Sequence, residues 1–325
     1  MDVKGVLLFS GGLDSILAFR VMAAQGADVS GLTFSTPFFS AAKAKTTAEG
    51  IGLSLTILDI TEEYLKMLHS PRYGYGKNMN PCIDCRILML KTAGRVMEEA
   101  GADFLFTGEV LGERPMSQGK QTLIMTAQKA GYPDLVLRPL SAKLLPETEP
   151  ERSGKINRNA LLDLQGRGRK RQIEMALHYD IGYYPPPSGG CLLTDTGFSR
   201  RLRDLFEHDK DYSIRDIELL KVGRHFRLDE KTKAIVGRDL SDNKKIENMM
   251  SSKDALIRMS HFPGPSVLVP GGGNEKTTLL AARLCHRYSD APRNQEASVN
   301  CLFNGETSSY TTSALPDDIL ESLLI

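Results

Sequence analysis

The sequence predicts an α/β fold, a doubly wound parallel sheet followed by a smaller α+β domain. Three observations carry this. Short apolar runs alternate with helix-periodic stretches through residues 1–190, the pattern that lays helices on both faces of a parallel sheet. A glycine-rich turn joins the first run to the first helical stretch. Beyond Arg138-Pro139-Leu140 the texture changes to shorter apolar runs broken by Gly and Pro.

Gly5 to Ser10 reads as the first strand, its apolar run suiting burial on both faces. Leu13, Ile16, Leu17, Val21 and Ala24 then recur at helical spacing, and Gly26 stands where a C-terminal cap belongs. Val29 to Phe34 and Leu53 to Leu58 are further strands, with a short helix over Ala41 to Gly50 between them. Phe104 to Thr107 and Leu135 to Leu137 complete the strand set, separated by helical stretches around Ile87 to Ala100 and Thr122 to Ala130. Doubly wound sheets bind ligands at the carboxyl ends of their strands. Residues 1–208 form this part. Residues 209–325 form the smaller domain, with strands such as Ala234 to Val236 and Ser266 to Val269.

Composition excludes several classes. The 325 residues carry 41 Lys+Arg against 40 Asp+Glu, with 41% hydrophobic and 25% charged residues, which is an ordinary globular balance. No apolar run reaches membrane-spanning length, and the first residues lack a basic, cleavable leader. A cytoplasmic protein without a membrane partner is expected. Charge is uneven along the chain: residues 151–260 hold 22 basic and 17 acidic residues, while residues 261–325 hold 4 and 7. A local basic surface is therefore compatible with the near-zero total.

The strongest chemical signal is Ser10-Gly11-Gly12-Leu13-Asp14-Ser15 between a strand and a helix. Two glycines admit an anion close to the backbone, and the helix N-terminus presents free N–H groups. Ser10 and Ser15 add hydroxyl donors. Asp14 would repel a phosphate unless it meets a metal ion or orients the loop, which points to Mg²⁺. A serine cap and a tight turn alone would not need all of these residues.

Ser-Gly-Gly-x-Asp-Ser after a first strand resembles the PP-loop of the ATP pyrophosphatases, which cleave ATP between the α and β phosphates and adenylate a carbonyl oxygen. The resemblance implies an adenine nucleotide alpha hydrolase-like fold and the cofactors ATP and Mg²⁺. It implies nucleotide binding by Ser10, Gly11, Gly12, Asp14 and Ser15, by Phe34 at one strand end and by Thr107 and Gly108 at another, with Asp14 also catalytic. PP-loop ligases and amidotransferases acting on small molecules share the loop and remain an alternative. A non-catalytic RNA-binding or cluster-sensing protein is another.

Five cysteines without a secretory leader make a poor disulfide framework. Asn80-Pro81-Cys82-Ile83-Asp84-Cys85 sets two sulfurs three residues apart before a helix, where the helix N-terminus is expected to lower a thiol pKa. This resembles the tRNA 2-thiouridylases, whose catalytic cysteine follows an Asn-Pro. The match puts Cys85 in the catalytic position, with Cys191, after Ser188-Gly189-Gly190, as its partner. A CxxC with one distant cysteine also resembles thiolation enzymes that hold a 4Fe–4S cluster on three thiolates, here Cys82, Cys85 and Cys191. Both readings stay open. Cys285 and Cys301 read as core residues.

Thr107-Gly108-Glu109-Val110-Leu111-Gly112 with Ser117-Gln118, and Arg138-Pro139-Leu140, resemble stretches of the 4-thiouridine synthetases. They depart at Arg114, two places beyond Gly112. In those enzymes an RNA-binding THUMP domain precedes the catalytic one. Here the segment from Val222-Gly223-Arg224 through Gly237-Arg238-Asp239 to Asn243-Lys244-Lys245 resembles the NFACT-type RNA-binding domain instead. Gly166-Arg167-Gly168-Arg169-Lys170-Arg171 is a further candidate for phosphate contacts. Gly271-Gly272-Gly273-Asn274-Glu275-Lys276-Thr277 lacks the glycine that a Walker A loop needs before its lysine, and reads as a loop entering a helix. The resemblances imply an ATP-dependent tRNA sulfurtransferase, 4-thiouridine favoured over 2-thiouridine. Its partners would be tRNA and a sulfur donor, either sulfide or a persulfide carrier, with homodimerisation left open.

Overall fold

A computed structural model describes residues 3–186 and 191–325 of the chain. It forms two compact units, Met1–Thr194 and Asp195–Ile325. The segment 195–208 therefore groups with the second unit.

In the first unit the chain runs β1 (Lys4–Leu8), α1 (Leu13–Ala23), β2 (Asp28–Ser35), α2 (Ala42–Ile51), β3 (Leu55–Asp59), α3 (Thr61–His69) and α4 (Cys82–Glu99). It continues through β4 (Phe104–Thr107), α5 (Lys120–Ala130), β5 (Val136–Leu137), α6 (Glu149–Arg152) and α7 (Lys170–His178). The strands make one parallel sheet in the order β3-β2-β1-β4-β5. The order reverses between β1 and β4, so their carboxyl ends open a crevice at the position where such sheets bind ligands. β4 is buried at every residue, as a strand covered on both faces requires. Leu7, Ile16, Leu17, Phe104 and Phe106 form the centre of the core.

The second unit contains α8 (Thr196–His208), α9 (Ile214–Leu219), β6 (Arg224–Arg227), β7 (Lys233–Val236), α10 (Leu240–Asn248), β8 (Ala255–Met259) and β9 (Val267–Val269). Next come α11 (Glu275–Arg287), β10 (Ala297–Phe303), β11 (Glu306–Thr312) and α12 (Asp317–Leu323). Its strands form an antiparallel sheet in the order β11-β10-β8-β9-β7-β6. Cys285 and Cys301 sit in its core, 0% and 4% exposed. Asn274 caps α11 by accepting from Thr277 N–H (3.0 Å), so the glycine run before it is a helix entry. Among the described residues no helix is long and apolar enough to cross a membrane.

Candidate active site

The loop between β1 and α1 is built almost entirely from backbone. Gly11 holds φ +73°, and a Cβ there would lie 2.8 Å from the Ala44 Cα, so both conformation and space demand glycine. Gly12 is the N-cap of α1, with no side-chain cap among the described residues. Ser10 Oγ accepts from Gly12 N–H (3.4 Å), one residue before the helix, so it does not close off the first amides of α1 itself. Ser15 Oγ donates to Gly12 O (2.8 Å) and also lies 3.4 Å from Ser10 Oγ, which fixes both hydroxyls at the loop.

Asp14 is half-buried, and its Oδ1 is buried without a hydrogen-bond partner. Burial raises the carboxyl pKa above its ordinary value, against the opposing charges of Arg169 and Arg114. Arg169 also lies near enough to Lys43 to depress that ammonium, although burial is the larger cause. The loop therefore faces an orphaned carboxylate oxygen and several cations, a donor set that fits a magnesium-bound polyphosphate. Segment 165–172 is brought here by Gly166 N–H, which donates to Leu111 O (2.7 Å). The basic stretch expected to meet RNA is thus divided: Arg169 lies near enough to the loop for Asp14 to feel its charge, and Arg171 pairs with Asp163 at 2.7 Å.

Gly108, at the carboxyl end of β4, packs directly on this loop. A Cβ there would lie 2.6 Å from Asp14 C and Ser15 N. The next residue, Glu109, is buried between two arginines, 3.0 Å from Arg86 Nε and 3.2 Å from Arg138 Nε. Burial alone would raise its pKa, but the two guanidinium groups outweigh it and hold the carboxyl below its usual range. Arg138 also donates to Leu123 O (2.9 Å), and Gln118 accepts from Arg114 N–H (2.9 Å). The Arg-Pro-Leu and Ser-Gln stretches thereby brace the strand-end loop. Thr107 is buried and donates to Glu109 Oε2 (3.0 Å). Phe34 is also buried, 5% exposed, at the carboxyl end of β2.

Arg86 leads from this network to the cysteines. Cys82 and Cys85 lie within the first turn of α4, and Cys85 N–H donates to Pro81 O (2.8 Å). Asp84 between them is a brace, accepting from Arg72 N–H and Tyr73 N–H at 3.0 Å each. Cys191 approaches Phe38 O, Sγ to oxygen 3.9 Å, and Phe38 packs on Tyr64 with ring centroids 5.6 Å apart. Tyr64 is 1% exposed, and its hydroxyl faces Cys85. The three sulfurs thus share one neighbourhood, close enough for Cys85 to feel the charge of the other two.

The expected lowering of the Cys85 pKa by the helix N-terminus is not what the structure gives. Burial pushes the thiol up to about 12, and Arg86 opposes it only in part. Cys191 is raised by burial as well. Desolvation of a thiolate outweighs a helix dipole that is partly spent at the first turn. Among the described residues no three His, Cys, Asp or Glu side chains form a group that would hold a metal ion. Of the stretch before Cys191, Pro187 to Gly190 lie outside the described residues.

Two family models divide the chain in the same way. The model described as Thiamine biosynthesis protein (ThiI) matches residues 1–143, and the NFACT protein RNA binding domain matches residues 223–323. These matches support a PP-loop protein of the tRNA-thiolation kind. The chain is similar to the tRNA-specific 2-thiouridylase MnmA of Syntrophotalea carbinolica, 32% identical over 32% of this chain and 33% of the relative. The enzyme of the same name from Rhodopseudomonas palustris is 27% identical over 39% and 37%. The matched region thus spans about a third of the length of these curated relatives. Among solved structures, the U34-tRNA thiolase NcsA from Methanococcus maripaludis with its 4Fe–4S cluster matches with 18% identity. That match covers 68% of this chain and 73% of the other, at a TM-score of 0.34.

Within the PP-loop unit the structure gathers Ser10, Gly11, Gly12, Asp14, Ser15, Thr107 and Gly108 at the crevice between β1 and β4, with Cys82, Cys85 and Cys191 around Tyr64. Arg86, Glu109, Arg169 and Tyr64 were not named as site residues from sequence. Arg86 follows the CxxC and Glu109 the Thr-Gly, so position alone was a signal for both. Tyr64 carried none.

Proposed function

We propose that the chain is an ATP-dependent tRNA sulfurtransferase, which adenylates a uridine carbonyl oxygen and replaces it with sulfur. The observation that carries this reading is the physical continuity between its two chemistries. Gly108 packs on the phosphate loop, Glu109 follows it, and Glu109 holds Arg86 beside Cys85. A small-molecule ligase would need no cysteine neighbourhood tied to its nucleotide crevice.

ATP is the co-substrate. The amides of Gly12, Leu13 and Asp14 would hold its phosphates, with Arg169 and Arg114 countering their charge. The uridine oxygen attacks the α-phosphorus, and pyrophosphate leaves. Sulfur then attacks the activated ring carbon, and AMP departs with the original oxygen. Mg²⁺, when bound at Asp14, would neutralise charge on the phosphates. Most of the rate enhancement would come from positioning and preorganised charge.

Two sulfur deliveries suit the cysteines. In one, the thiols of Cys82, Cys85 and Cys191 would hold a 4Fe–4S cluster; they are donors of the right kind and number but do not stand in metal-holding geometry in this structure. That cluster would supply an iron position open to a sulfide donor. In the other, a terminal persulfide sulfur on Cys85 is transferred, and Cys191 releases it by closing a Cys85–Cys191 disulfide, which an external thiol must then reduce. The O4 position is preferred on the Thr-Gly-Glu and Arg-Pro-Leu stretches, which resemble those of 4-thiouridine synthetases, while the curated relatives are named as 2-thiouridylases.

Nucleoside analysis of tRNA treated with the protein, ATP and sulfide tests the reading directly. A thiolated uridine that is lost in D14A supports it, and undiminished thiolation by D14A would overturn the ATP assignment. Iron and acid-labile sulfide in anaerobically purified protein separate the two deliveries. An active iron-free protein removes the cluster.

A further inference from the structure

The family-like residues of the second unit converge on a cavity that nothing in the chemistry above uses. Arg224, Gly237, Arg238, Asn243, Gly264 and Tyr288 line a space of about 310 Å³. Arg224 starts β6, Gly237 and Arg238 follow β7, and Asn243 stands on α10. Residues from three elements therefore meet there.

The walls carry unspent positive charge. The Arg224 guanidinium lies 4.8 Å over the Tyr288 ring and has no carboxylate partner among the described residues. Arg238 engages Asp242 through Nε (2.5 Å) and Nη2 (3.3 Å), leaving Nη1 without a partner among those residues. Asp242 also accepts from Gly223 N–H (3.1 Å), which fixes the arginine in place. Arg201 donates to Gly223 O (3.3 Å), and its Nε is buried without a partner. It feels the like charges of Arg238 and Arg200. Asp239 is engaged at the helix cap, accepting from Asp242 N–H (2.9 Å). Asn243 is locked by Ser266 N–H (3.0 Å), so that wall is rigid. Lys244 and Lys245 are exposed on the same helix.

We propose that this cavity is a subsite for one unpaired nucleotide of RNA, with its phosphate on Arg224 and Arg238 and its base against the Arg224–Tyr288 stack. This rests on the RNA-binding reading of the second unit. The volume suits a single nucleotide and is at the small end for ligand sites. A planar guanidinium backed by an aromatic ring offers a stacking face and phosphate donors together. A duplex would not enter.

The test uses the full chain and a fluorescein-labelled single-stranded oligouridine, with anisotropy followed across a salt series. R224A should weaken binding by about tenfold near 0.1 M salt and lower the magnitude of the log–log salt slope by about one. L240E places an anion beside the cavity at an exposed position in the first turn of α10, where the helix dipole favours it. It should weaken binding while leaving the fold intact, and it decides the matter if R224A fails to fold. Wild-type affinity and slope in a folded R224A and in L240E would overturn the subsite while leaving the RNA reading standing. A wild-type chain that binds no oligouridine or tRNA would overturn both. Binding of a fluorescent ATP analogue should be unchanged in R224A and L240E, which keeps this outcome separate from the nucleotide chemistry of the first unit.

Discussion

The phosphate loop and the cysteine neighbourhood lie in one unit but are constructed in opposite ways. The loop is one contiguous segment whose groups are mostly backbone, fixed by a positive φ at Gly11 and by Gly108 pressed against it. The cysteine neighbourhood is made of side chains from α3, the start of α4 and Cys191, held by burial and by one buried ion network. A backbone site fails when volume is added near it. A side-chain site fails when one partner is removed. The residues where the two meet, Gly108 and Glu109, should therefore be the most sensitive in the unit.

The largest effect belongs to Glu109. E109A leaves Arg86 and Arg138 without their shared anion, Arg138 being 5% exposed, and should destabilise the unit by about 3–5 kcal/mol. Urea denaturation with a tryptophan-independent probe such as far-UV circular dichroism reads this directly, since the chain has no Trp. A loss below about 1 kcal/mol would show that the two sites are not coupled through this carboxylate. Next comes G108A. Its methyl meets loop backbone, which cannot swing aside as a flexible side chain would, so a cost of about 1–3 kcal/mol is expected together with loss of ATP binding. Binding that survives a normal loss of stability would mean the loop relaxes into a competent shape.

The same contrast explains what could be read from the sequence. The strand, loop and first helix are legible because every signal lies within one short segment, and the parallel sheet follows from alternation, whereas the strand order comes from the structure alone. α4 starts earlier than the spacing around Ile87 predicts, because Cys82 and Cys85 form its first turn after Pro81 instead of preceding it. α3 was missed, since Thr61-Glu62-Glu63 gives only a short amphipathic stretch. The β10–β11 hairpin was missed although Asn304-Gly305, both at positive φ, is a strong turn signal. The role of Arg169 was invisible, because only the bridge from Gly166 to Leu111 shows that this basic stretch reaches the loop. Burial of the thiols reversed the expected pKa direction for the same reason: it is a tertiary property.

Asp14 sharpens the loop side of the comparison. Its carboxyl is held above the ordinary value of 3.8 by burial. The folded chain therefore keeps a proton that the unfolded chain has lost, and this group's contribution to stability falls as pH rises from 3.8 through the folded pKa. D14N should remove that fall. It should leave the ligand-free protein at least as stable at neutral pH while thiolation drops by about 100-fold or more. In thermal melts from pH 3.5 to 7 the melting temperature of D14N minus that of the wild type should grow as pH rises. A difference that shrinks with pH would mean the carboxylate is stabilised by its arginines after all.

The smallest effect is expected at Tyr64, on the side-chain site. Its hydroxyl is buried and makes no geometric hydrogen bond, but it faces Cys85 and favours that thiolate. Y64F removes only an oxygen from a packed ring, so stability should change by less than about 1 kcal/mol, in either direction. The rate of Cys85 alkylation by iodoacetamide at a fixed alkaline pH should fall, because losing the hydroxyl leaves desolvation less opposed. Faster alkylation in Y64F would mean that the hydroxyl shields the sulfur sterically and does not favour the thiolate. The coupling between α3 and the first turn of α4 would then be packing alone.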